Sequence, residues 1–469
     1  MAKNFILDWI NKNHKAFDDL ALEIWKNPEL PFEEHEAARL QMDFMKRQGF
    51  TVSQKEGLPT AFVAEWGKGG PAIGILGEFD ALVGLSQAVS TRIEPLKEGG
   101  PGHGCGHNLL GVAGMLAACA VKEALASEGR EGRVRYFGCP GEEQLTGKSK
   151  MAKLNYFDGT DLSLAWHPGD YSSVTDATMT ALFSVKFKFK GRASHAGASP
   201  EAGRSALDAV ELMNVGANYL REHMLDQNRL HYVITDGGPS PNIVPPRAEV
   251  WYYARAPHDA ELVHLWTRLL KVARGAAMMT ETEVSYELLG GCYNTLPNKV
   301  LNEVLEANLM EFAGPIEYTD EERRFAEEMQ KTLTPDQAAA TKAKLFFLKD
   351  DEKILAHRPF PCFDHGGFIM GSSDVGDVAN LMPTSMAWGA TWPVGIPIHS
   401  WQSTAFAGSS IGLKGGVQAA KAMAGAIYDL MNDPAKIEAA KQEFEKRRDG
   451  RPYQPIDELL IKADPEATA

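Results

Sequence analysis

Apolar and polar positions recur along this chain with two different periods, and the switches between them divide it into elements. Over residues 5–50, Phe17, Leu20, Ile24 and Trp25, then Ala37, Leu40, Phe44 and Met45, repeat near the 3.6-residue spacing of a helix. Asn27-Pro28-Glu29 interrupts the pattern and Gly49 ends it, which predicts two helices. Runs at 60–66 and 71–77 flank a Gly-rich turn and predict strands. The second is apolar nearly throughout, as in a strand buried on both faces. An Ala/Leu-rich helix at 109–128 precedes strands at 133–138 and 162–166. This order predicts an open α/β sheet with its chemistry at the carboxyl ends of successive strands.

Near residue 180 the period changes. Leu182, Phe183, Val185, Phe187 and Phe189 alternate as a half-exposed antiparallel strand does. A helix at 203–223, strands at 230–236 and 247–255, a helix at 259–277 and a strand at 282–289 complete a ferredoxin-like order. Residues 180–291 are therefore read as an inserted α+β domain. Residues 1–179 and 292–469 form one discontinuous α/β domain around it. Within the latter, 315–355 reads as a charged helical or mobile insertion. Residues 374–390 close the sheet, 413–445 form one Ala-rich helix, and 446–469 read as a surface tail.

A length of 469 residues is enough for two domains, and the 44% apolar and 23% charged fractions are ordinary for a globular enzyme. The formal net charge of −14 argues against nucleic acid or an anionic membrane as the main partner. No apolar run reaches about 18 residues, so no membrane helix is predicted. The five cysteines (Cys105, Cys119, Cys139, Cys292 and Cys362) form no CxxC pair and accompany no secretory leader pattern. A reducing cytoplasm is the expected compartment.

The candidate chemistry is concentrated. Gly102-His103-Gly104-Cys105-Gly106-His107 offers a thiolate and an imidazole two residues apart on a glycine-rich backbone. Glu142-Glu143 follows one βα unit later, adding a hard oxygen ligand and a spare carboxylate. The mixture suits a borderline divalent ion such as zinc or manganese, and the spare carboxylate suits a general base. Taken alone, the first motif could equally be a glycine turn around a buried cysteine and a core histidine. His167 at the end of a strand and His399 in the loop Pro397-Ile398-His399 favour the metal. His14, His35, His223, His231, His258 and His264 are read as ordinary surface or core histidines.

Joined in order, Asn27-Pro28-Glu29-Leu30 with Glu33-Glu34, Gly-Cys105-Gly-His107, Gly141-Glu142-Glu143, Ser194-His195-Ala196-Gly197 and Asn242-Ile243-Val244-Pro245 carry a resemblance over about 17–430. The chain resembles the co-catalytic metallo-amidohydrolases and metallopeptidases: aminoacylases, hippurate and auxin-conjugate hydrolases and carboxypeptidase-G-like enzymes. The branch acting on p-aminobenzoyl-glutamate is the most similar. The resemblance implies a zinc-exopeptidase-type mixed-sheet catalytic domain with a ferredoxin-like dimerisation, or lid, domain. It implies two divalent ions, Mn2+ or Zn2+, bridged by Cys105, with His107 and His167 completing one site and Glu143 and His399 the other. Glu142 would be the general base and Asp80 a residue that orients a ligand. Glu78 stands where many members carry a ligand histidine, and Asn108 where this branch commonly has aspartate.

The resemblance further implies that His195 reaches across a homodimer, formed through 180–291, to donate to the oxyanion. Asn242 is the next candidate as an amide donor and Arg255 as a carboxylate clamp. The implied reaction is amide cleavage of acyl or aroyl amino acids, p-aminobenzoyl-glutamate first, with other acyl amino acids or a dipeptide as alternatives. A paired A-type subunit is a further expected partner. The rival of another class is a non-catalytic metal-binding partner subunit. Glu142 argues against it, since a dead homologue is expected to lose the spare glutamate or a ligand.

Overall fold

The apolar run at 72–78 becomes the strand Ala72–Glu78, with every residue buried. It lies inside a seven-stranded sheet in a computed structural model that describes residues 2–344 and 347–467. The spatial order is Thr51–Ser53, Phe62–Lys68, Gly132–Cys139, Ala72–Glu78, Leu162–Gly169, Thr384–Ala390, Ser173–Val174. The four central strands run parallel and those outside them antiparallel. The predicted α/β class is the observed one, and parallel strands read as continuous apolar runs because helices cover both faces.

By contact, the chain divides into two units. One comprises Met1–Ala177, Leu296–Gly367 and Val378–Arg451, and the other Thr178–Thr295, Phe368–Asp377 and Pro452–Ala469. The core of the first forms where the helix His107–Glu128 packs on Ala72–Glu78 and between the helices Ala2–Lys26 and Ser410–Asn432. Contrary to the sequence expectation, His107–Glu128 is long and apolar enough to cross a membrane by length and composition. Its most apolar window is 83% buried inside the fold, which is the setting of a core helix.

The second unit pairs its strands in the order Glu283–Cys292, Ala181–Lys190, Arg247–Ala256, Arg229–Asp236, all antiparallel. With the helices Ala206–Leu220 and Asp259–Thr280 this is the ferredoxin-like arrangement. The phenylalanines predicted to alternate inward meet Trp266 in its core.

Two expectations need correction, and for a third the helical alternative holds. The reading of 446–469 as a surface tail misses the helix Ile456–Ala463, whose Ile456 and Leu460 are fully buried in the second unit; Trp266 Nε1 donates to the Leu460 carbonyl at 2.8 Å. The single helix at 413–445 is two, Ser410–Asn432 and Pro434–Arg448. Proline lacks the N–H and crowds the preceding turn, so the chain restarts there with the Asp433 side chain as cap. The segment 315–355 is largely packed: Ile316, Tyr318, Ala326, Met329 and Leu355 are buried with Trp392 and Phe406. A capping box of Thr319 and Glu322 starts its helix Asp320–Gln330. Residues 345–346 of that segment lie outside the described residues.

Candidate active site

Parallel strands deliver the cluster. Ala72–Glu78 ends on Glu78, with Asp80 just beyond. Gly132–Cys139 leads into Glu142 and Glu143, and Leu162–Gly169 carries His167 near its end. Gly106 turns the chain between Cys105 and His107 at φ +76°, where a Cβ would also come within 3.0 Å of the Pro168 ring. Gly141 does the same before the glutamates at φ +66°, its missing Cβ facing the Phe32 ring. The early motif supports the second of these turns. The Glu29 carboxylate accepts from the Glu36 and Ala37 amides and so caps the helix His35–Arg47. Glu34 Oε1 accepts from Gly141 N at 2.8 Å.

His399 is brought in from a distant loop. Its backbone holds φ +61°, a strained value for histidine, and its N–H donates to the Gly104 carbonyl at 3.1 Å. Ser403 Oγ donates to the same carbonyl at 2.6 Å. This loop is thereby tied to the residue preceding Cys105.

Hydrogen bonds fix which ring nitrogens face inward. His167 Nδ1 lies 2.8 Å from the Pro168 carbonyl, which can only accept, so Nδ1 carries the proton. Nε2 then turns a lone pair towards Cys105 Sγ, 3.3 Å away. His107 Nδ1 lies 2.7 Å from Asp80 Oδ1, and Asp80 Oδ2 accepts from Glu143 N at 2.8 Å. Asp80 thus joins an imidazole to the glutamate turn. Glu143 Oε1 stands 3.4 Å from His399 Nε2, and Glu142 Oε2 stands 3.9 Å from His107 Nε2.

Three groups of donor atoms result, each lying within 4.8 Å of one another: Cys105, His107 and His167; Cys105, Glu143 and His399; Glu78, His107 and Glu142. Cys105 belongs to the first two. Among the described residues, His107 Nε2, Glu143 Oε1 and Glu78 Oε2 are buried with no hydrogen-bond partner. Burial and the neighbouring His107 push His167 down to about 4, leaving a neutral imidazole. Burial also pushes the Cys105 thiol up, against the pull of His107. Burial opposes charge on His107, but Cys105 and Asp80 outweigh it and raise its pKa well above the ordinary histidine value. Burial likewise opposes charge on Glu143, which His399 and His107 nevertheless hold below the usual carboxylate range. Orphaned soft and hard donors that favour a positive charge in their midst fit a divalent cation.

The sequence reading missed Glu78 as a member of the cluster, and it missed Lys148. Lys148 is fully buried and its Nζ lies 2.5 Å from Glu78 Oε1. A charged residue ending an otherwise apolar buried strand was the available signal. Among the described residues, none of the six histidines read as ordinary falls in a ligand group, and His14 pairs with Asp18 at 2.7 Å. A cleft of about 840 Å³ lies elsewhere in this unit, beside His14, Tyr318 and Lys421, and no cluster residue lines it.

In the second unit, His195 is exposed, and its Nδ1 accepts from the Gly197 and Ala198 amides at 3.2 and 3.0 Å. The neutral ring therefore carries its proton on Nε2. Its backbone bridges to Ile243, and Ala196 N donates to the Asn242 carbonyl at 3.0 Å, so the two predicted loops are joined. The Asn242 amide oxygen accepts from Ser240 Oγ at 2.6 Å, which leaves its NH2 as donor. Arg255 is half-buried and donates from Nη1 to Ser372 Oγ at 2.6 Å.

A parallel sheet with thiol, imidazole and carboxylate donors gathered at its strand ends is the architecture of a metal-dependent hydrolase. Comparison with known proteins specifies it. Residues 180–277 match the model of the peptidase dimerisation domain. The chain is 40% identical to the B-type subunit of the p-aminobenzoyl-glutamate hydrolase of Escherichia coli (strain K12), covering 96% of each. It is 29% identical to a mouse Xaa-Arg dipeptidase over 95% of this chain and 92% of that one. A dinuclear metal binding peptidase from Bacillus subtilis shares the fold, with TM-score 0.55 and 15% identity over 89% of this chain and 98% of that one. The chain belongs to peptidase family M20 and is a metal-dependent amide-bond hydrolase.

Proposed function

We propose that the chain hydrolyses the amide bond of aroyl amino acids, with p-aminobenzoyl-glutamate first, at a centre of two divalent ions, Mn2+ or Zn2+. The observation that carries this is Cys105, common to two donor groups. In this reading Cys105 bridges, His107 and His167 complete one site, and Glu143 and His399 the other. Bound there, the ions would supply Lewis acidity towards the scissile carbonyl and towards an attacking water.

The chain's own residues supply the remaining steps. Glu142 takes the water's proton and delivers it to the leaving amine nitrogen. Asp80 holds His107 in the tautomer that presents Nε2. His195, its Nδ1 occupied, offers Nε2–H to the developing oxyanion of the neighbouring subunit's site. Asn242 and Arg255 are placed in this reading as an amide donor and a clamp for the substrate carboxylate.

The name of the bacterial relative supports the substrate, and that of the mouse relative supports a dipeptide as the second reading. We further place the protein as a homodimer through 180–291 that pairs with an A-type subunit, in the cytoplasm. Its five free cysteines suit a reducing compartment. The test is a hydrolysis panel of p-aminobenzoyl-glutamate, hippurate, an auxin conjugate and Xaa-Arg dipeptides, run on chelated and metal-reconstituted protein, alone and with an A-type subunit. Metal-dependent release of p-aminobenzoate is expected. Hydrolysis of dipeptides alone would replace the substrate, and no metal-dependent hydrolysis under any condition would favour a non-catalytic subunit.

A further inference from the structure

The pair formed by Glu78 and Lys148 has no part in the reading above. Lys148, in the helix Gly147–Lys153, is fully buried, and Glu78 is 2% exposed. Taking two charges out of water costs several kcal/mol per ion in general, and buried pairs are often no more stabilising than apolar ones. Stability is thus a poor reason for this pair, and its surroundings point to another.

Lys148 meets Oε1 of Glu78. Among the described residues, Oε2 is buried without a hydrogen-bond partner, 3.3 Å from His107 Nε2, which is likewise buried without one. Asp80 binds Nδ1 of His107, which leaves Nε2 as the nitrogen that faces Glu78. A cation placed between them could accept both Glu78 Oε2 and His107 Nε2, and Glu142 offers a third oxygen to the same spot.

We propose that Glu78 is a further donor to the ion that His107 holds, giving it Oε2, and that Lys148 is a positioning residue that holds Oε1. The inference rests on the cluster being a metal centre. Lys148 restricts Glu78 to one donor oxygen and offsets one negative charge where Cys105, Glu142 and Glu143 already converge. Removing such outer partners typically costs about 10–100-fold in metal affinity.

The experiment measures Co2+ stoichiometry and affinity by chelator competition on the full chain. The unaltered protein is expected to bind two ions. Glu78→Gln, which keeps the shape and loses the charge, should weaken one ion by at least the about 10–100-fold that loss of an outer partner costs, and spare the other. Lys148→Met should weaken the same ion by a smaller factor. The double variant Glu78→Gln/Lys148→Met removes both buried charges together and serves if a single variant does not fold; it should show the same weakened ion. Two ions at unaltered affinity in folded Glu78→Gln or in the double variant would overturn the inference and leave the proposed centre standing. An unaltered chain that never takes two ions would overturn the centre, and this inference with it.

Discussion

Glu142 and Glu143 are adjacent, yet their surroundings separate them. Glu143 faces His399 and receives its orientation from Asp80, while Glu142 stands farther from the nearest imidazole. If Glu142 is the base, Glu142→Gln should retain bound metal and lose about 10²–10⁴-fold in kcat. Steady-state kinetics with metal content measured on the same sample checks this, and near-normal turnover would remove Glu142 from the role. Glu34 makes a pH prediction. Burial, aided by Asp80, pushes its carboxyl up to about 7. Between its ordinary value near 4.5 and 7 the folded chain holds a proton that the unfolded chain has lost. Stability therefore falls as pH rises through that window. Glu34→Gln should remove this slope and stabilise the metal-free protein at pH 8 by about 3 kcal/mol, read from denaturant melts at pH 5 and 8.

At the scale of elements, what could be read from the sequence was what strand ends and periodicity announce. Cys105, His107, Glu143 and His167 each follow an apolar strand or open an apolar helix, so their convergence was predictable from an α/β order. His399 was legible as a candidate loop histidine, but its place beside Glu143 came only through resemblance, because a loop held by a positive φ and a bond to the Gly104 carbonyl leaves no periodic trace. Lys148 was invisible: a lysine in a short helix reads as solvated, and only the tertiary fold sets it against Glu78. The break at Asp433-Pro434 was overlooked because the alanine pattern continues across it. The helix Ile456–Ala463 was missed because two inward residues make too short a stripe. That helix is structural for the second unit, so Leu460→Ala should destabilise it by about 2–4 kcal/mol, since a buried leucine is truncated against Trp266. Trp fluorescence during urea unfolding reads this directly, and an unchanged midpoint would assign the helix no packing role.

For the whole molecule, the division of labour between units is the testable idea. The first unit holds all three donor groups, and the second holds His195, the Asn242 loop and an edge strand, Arg229–Asp236, with exposed Val233 and Ile234. If His195 serves a twin's centre, inactive His195→Ala and inactive Glu142→Gln chains should complement each other. At equal amounts, random exchange in a two-fold dimer gives about a quarter of the normal activity. Native mass spectrometry would verify the exchange, and no recovery after it would place His195 in its own chain's site or outside catalysis.

The central claim is that one thiolate is shared by two metal ions, and elemental analysis of Cys105→Ala beside the unaltered protein addresses it most directly. Cys105 is the one residue common to both proposed sites, whereas Cys119, Cys139, Cys292 and Cys362 belong to no donor group among the described residues. The account predicts two ions per unaltered chain and loss of their co-operative binding in Cys105→Ala, with Cys119→Ala and Cys292→Ala keeping both. Two ions bound as before in Cys105→Ala would contradict it.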